Sequence, residues 1–95
     1  MNTTLNAPVQ VKASEVTASI VHFFSYHNIQ LKRINLKLDG SQVLECSGNF
    51  VHSIEPFIYR RLLEKEFSKR FRRDKRFMHT KLVLSQDGFK IISYE

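Results

Sequence analysis

The sequence predicts a two-layer α+β sandwich, a four-stranded antiparallel sheet with two helices on one face, in the order α-β-β-α-β-β. Three observations lead there. Two segments, Val16 to His27 and Ile54 to Phe71, carry apolar residues at spacings of three and four. Each is followed by a pair of short runs in which apolar and polar residues alternate. Each pair is interrupted by Asp-Gly, at Asp39-Gly40 and at Asp87-Gly88, a dipeptide suited to hairpin turns.

Ninety-five residues suffice for one small hydrophobic core, and a two-domain enzyme is excluded. The balance of 42% hydrophobic and 25% charged residues, with eight Phe, is that of a chain that folds. A single Cys excludes an internal disulfide or a Cys-rich zinc site, and the expected compartment is the cytoplasm. No run of eighteen apolar residues occurs, so no integral membrane association is expected.

Residues 1–11 lack periodicity and are read as a flexible leader, leaving 12–95 as the ordered domain. Ser14 is placed to cap the first helix, from Glu15 to about Tyr26, and Asn28 to close it in the left-handed conformation. The first strand follows, with Ile34, Leu36 and Leu38 on one side and Arg33, Asn35 and Lys37 on the other. In its partner, Leu44, Cys46 and Phe50 share a parity. Pairing even with even requires an odd loop, Leu38-Asp39-Gly40, with Gly40 left-handed. Ser53 is then the expected cap of a second, longer helix reaching about Arg73, with Pro56 in its first turn.

That helix presents a puzzle. At about 100° per residue, Ile54, Phe57, Ile58 and Leu62 lie on a different side from Leu63, Phe67 and Phe71. Either the helix bends near Tyr59 to Leu62, or part of its apolar surface meets something else. Phe67 and Phe71 continue from Leu63 as a core stripe and are expected to be buried. The last hairpin uses Leu82, Leu84, Ile91 and Ile92. An offset of 48 residues superposes its Asp-Gly on the first, and Ile34 on Leu82, which raises an internal duplication.

Charge supplies the functional expectation. Between residues 60 and 76 stand nine cations, Arg60, Arg61, Lys65, Lys69, Arg70, Arg72, Arg73, Lys75 and Arg76, against Glu64, Glu66 and Asp74. The rest of the chain is neutral overall, so the whole net charge of +6 sits there. Clustered Arg and Lys neutralise phosphates, and these nine residues are the expected contacts to nucleic acid, DNA or RNA, without sequence-specific readout. The alternative is a protein-interaction module, an inhibitor or adaptor docking on an acidic protein, with the displaced apolar stripe as anchor. Pairing of two sheet edges or two helices would make a homodimer. The four His and Cys46 form no metal-ligand or nucleophile spacing, and glycines are too isolated to cradle a phosphate. A binder is expected rather than an enzyme, with no cofactor and no metal.

Overall fold

The computed structural model describes the backbone of residues 7–94 and the side chains of residues 13–94. The elements are α1 (Ala7–Tyr26), β1 (Leu31–Asp39), β2 (Gln42–Phe50), α2 (Phe57–Phe71), β3 (Thr80–Leu84) and β4 (Gly88–Ser93), with a single 3₁₀ turn at Lys75–Phe77. The strands form one antiparallel sheet in the order β1-β2-β4-β3, and both helices cover one face of it. This is the expected α+β architecture, in the expected element order.

Several local expectations need correction. Helix α1 begins at Ala7, so Ser14 lies inside it and cannot be its cap. Residues 7–11 of the expected leader are helical, and residues 1–6 lie outside those described. Pro8 does not prevent this, because a first-turn amide has no intrahelical partner. Helix α2 starts at Phe57, with Pro56 as N-cap and no side-chain cap bond, so Ser53 is not its cap. The proline ring disfavours helical geometry at Glu55 and fixes the start. At 15 residues against 20, α2 is the shorter helix, and it ends at Phe71, short of Arg73.

The end of α1 is as expected. Asn28 has φ +63°, Ile29 N–H donates to Phe24 C=O at 2.9 Å and Asn28 N–H to Ser25 C=O at 2.9 Å. These two bonds make a Schellman motif, which turns the chain straight into β1.

The first hairpin keeps even opposite even by a route other than an odd loop. Asp39 pairs with Gln42 across a two-residue loop, Gly40-Ser41, with Gly40 at φ +63°. A bulge then shifts the register between Lys37 and Leu38, and Leu36 lies opposite Cys46. Val43 is consequently buried and Leu44 is 47% exposed, the reverse of the expected placement. A second bulge, at Lys32, separates the Leu31–Phe50 pair from Arg33–Asn49.

In the second hairpin the turn is Gln86-Asp87, closed by Ser85 N–H to Gly88 C=O at 2.9 Å. Gly88 is therefore a strand residue and not a turn residue. A side chain there would meet the backbone oxygen of Gly48, while one at Gly48 would meet Arg33 C=O and the Phe89 ring. The loops of the two hairpins lie 46 positions apart, so the 48-residue superposition does not align equivalent positions.

Seven of the eight Phe, all but Phe57, are buried. Phe23 of α1 meets Phe67 of α2 edge-on at 5.4 Å, and Phe24 lies 4.8 Å from Phe89 of the sheet, so these rings join helix to helix and helix to sheet. Phe67, Phe71 and Phe77 pack against one another in tilted and edge-to-face contacts, as a core stripe does, and all three are buried.

Candidate nucleic-acid interface

The nine cations expected at the interface lie on α2 and the turn that follows it, and the structure divides them. Arg60 is half-buried, and its Nη1 donates to Ile54 C=O at 2.6 Å and Glu55 C=O at 2.9 Å. It ties down the segment entering α2, whose early carbonyls otherwise lack donors. Arg76 is likewise engaged. Its Nη2 and Nε reach the Asp74 carboxylate at 2.7 and 3.0 Å, and Nη2 also donates to Ser19 Oγ on α1 at 3.0 Å. Asp74 in turn accepts from the Arg76 backbone N–H, capping the 3₁₀ turn. The hydrogen bonds from the Arg76 side chain hold the Asp74 carboxyl below its ordinary range.

Both arginines therefore serve the fold. Arg61 pairs with Glu64 at 3.0 Å and lies 4.8 Å above the Phe57 ring, while Lys69 stands 3.8 Å from Glu66. Of the nine, the exposed ones without a carboxylate partner among the described residues are Lys65, Arg70, Arg72, Arg73 and Lys75. They occupy the outer face of the C-terminal half of α2 and the turn after it, where the final helix carbonyls also favour positive charge.

One cation beyond the expected nine joins this surface. Lys81 of β3 lines a shallow groove together with Lys65 and Lys69 of α2, because α2 lies against that sheet edge. The open face of the sheet carries Arg33, Asn35, Ser47, Asn49 and Lys90 around a second depression. Period-two alternation pointed to Arg33, Asn35 and Lys37 on that side of β1, and the bulge at Lys32 interrupts the alternation only before Arg33. The helix itself runs unbroken from Phe57 to Phe71, so the puzzle of its apolar residues resolves as exposure. Phe57, Ile58 and Leu62 are 59%, 73% and 53% exposed, at the opposite end of the helix from the free cations.

The remaining chemistry-bearing groups are dispersed. Cys46 is fully buried in β2, and desolvation pushes its thiol up to about 12, so it is protonated. His27 packs against Phe23 at 5.1 Å, and His79 adopts φ +57° beside Tyr94. No cluster of three His, Cys, Asp or Glu able to hold a metal occurs among the described residues. Among them, no helix is long and apolar enough to cross a membrane. Compared with protein-family models, with curated proteins and with solved structures, the chain finds no match in any of the three.

Proposed function

We propose that this protein binds nucleic acid without sequence preference, using the C-terminal half of α2 and the turn after it to neutralise phosphates. The observation that carries this reading is the set of exposed cations, Lys65, Arg70, Arg72, Arg73 and Lys75, with no carboxylate partner among the described residues. A solvated helix end needs two or three cations, and this one has more. Lys69 contributes from a loose pair, and Lys81 carries the positive surface around the sheet edge. With Phe67, Phe71 and Phe77 in the core, contact is to the phosphate backbone and not to stacked bases.

The test is fluorescence anisotropy with labelled single- and double-stranded DNA and RNA across a salt series. The comparison is with Arg72→Gln/Arg73→Gln/Lys75→Gln. Wild-type binding should weaken steeply with salt, and for duplex DNA the triple variant should flatten the logarithmic slope by about 0.9 per lost contact. Absence of binding at low salt would sink the reading.

One observation favours a second reading. Phe57, Ile58 and Leu62 are exposed beside Arg61, the combination of aromatic, aliphatic and guanidinium groups found at the centres of protein interfaces. A protein with an acidic, apolar-lined surface would fit there. In that case Ile58→Ser/Leu62→Ser, and not the cation variant, would abolish capture of the partner.

A further inference from the structure

We infer that the β1 edge of the sheet is a self-association surface, on which a second copy of the chain pairs antiparallel to make a continuous eight-stranded sheet. This inference is independent of the proposed nucleic-acid contacts, which lie on the other side of the molecule's core. β1 is bonded on one side only, to β2, so alternate N–H and C=O groups along its other side are free to pair. Among the described residues, no group of another element hydrogen-bonds to that outer side. Leu31, Ile34, Leu36 and Leu38 point toward the helix layer yet are only half-buried. A groove lined by Val21, Ser25, Ile29, Leu31 and Ile34 runs between this edge and α1. Part of the core is therefore left open along an edge able to accept a strand.

The identity of the occupant follows from the sequence of the edge itself. The bulge at Lys32 and the turn at Gly40 bound a regular stretch, Arg33 to Asp39, whose middle residue is Leu36. In antiparallel pairing, facing residues point to the same side of the sheet. A two-fold axis that keeps apolar beside apolar must therefore pass through a residue and not between two. An axis at Leu36 uses the whole stretch. It sets Leu36 against Leu36 and Ile34 against Leu38 on the helix side, and Arg33 against Asp39, twice, on the open side. Asn35 then faces Lys37. An axis one residue earlier would set Arg33 against Lys37 twice, and one residue later would set Lys37 against itself. In this one register of the strand with itself Arg33 meets an opposite charge and Lys37 a neutral amide, so the cations that ordinarily protect an edge strand face no like charge.

Sedimentation velocity on the full chain over a concentration series, at low and moderate salt, tests the inference. The comparison is with Arg33→Asp and with the exchange Arg33→Asp/Asp39→Arg, with circular dichroism to establish that each folds. The wild type should show a monomer–dimer equilibrium. Arg33→Asp should raise the dissociation constant about tenfold or more, since two attractive cross-strand pairs become repulsive. The exchange should restore it, because opposite charges would again face each other at both pairs. A wild type that stays monomeric throughout, a dimer indifferent to Arg33→Asp, or a failure of the exchange to restore association would each overturn the proposal. Should Arg33→Asp not fold, the exchange variant and Ile58→Ser/Leu62→Ser decide it. Dimerisation must survive both, and loss in either places the contact elsewhere or nowhere.

Discussion

The two edges of the sheet differ in how they are finished. At β3, the carboxylate of Glu64 from α2 accepts the Leu84 backbone N–H at 2.8 Å, and Arg61 holds that carboxylate from the other side at 3.0 Å. Leu82 and Leu84 beneath it are 4% and 5% exposed. At β1 no such hydrogen bond from another element occurs among the described residues, and every residue directed at the helix layer remains half-buried. One helix is laid along its edge and the other is set back from it. An edge strand can be finished by a polar group from its own fold, by charges and bulges, or by a partner, and the chain supplies the first at only one end of the sheet.

The largest expected effect tests the difference in burial. Leu82→Ala at the closed edge should cost about 3 kcal/mol, whereas Ile34→Ala at the open edge should cost about half as much in the monomer. Urea unfolding at low protein concentration measures both, and equal costs would break the contrast. Next comes Glu64→Ala, which leaves the Leu84 amide without its acceptor and should cost about 1–2 kcal/mol. If this carboxylate is what closes the β3 edge, the variant should also self-associate more strongly than the wild type in sedimentation.

Asp74→Asn should cost about 1 kcal/mol by weakening the cap and the Arg76 pair that ties the turn to Ser19. Because Asp74 is held below its ordinary pKa in the folded state, its contribution is full above the unfolded value. It is lost as pH falls through the folded one. The stability difference between wild type and Asp74→Asn should thus be constant near neutrality and shrink below about pH 4, as read by urea titrations at several pH values. The smallest effect is expected for Arg72→Gln/Arg73→Gln/Lys75→Gln, within about 0.5 kcal/mol in thermal unfolding, since these groups touch nothing the fold needs.

What the sequence revealed of all this depended on how local the cause was. The strands, the Asn28 helix end and the burial of Phe67 and Phe71 follow from periodicity and single-residue conformational preference, and the structure bears them out. The bulges at Lys32 and Leu44 do not, because register belongs to two strands at once and either strand alone reads as regular. The start of α2 was legible in principle. Pro56 restricts Glu55, and that restriction outweighs the capping preference of Ser53. The division among the cations was half legible. Asp74 two residues before Arg76 signals a local pair, but the bond to Ser19 spans 57 positions, and the carbonyls that Arg60 caps depend on where α2 begins.

Cys46 gives the molecule an internal clock. It sits at the centre of β2 with no exposed surface, and its thiol needs a pH near 12 to ionise while folded. Thiol reagents attack the thiolate, so modification at neutral pH waits for an opening that lifts the helix layer from the sheet. Where closing outpaces reaction, the slowing relative to a free thiol gives the free energy of that opening directly. The same trace, taken on edge variants and as protein concentration rises, would show whether the openings that expose β2 begin at the open side of the sheet.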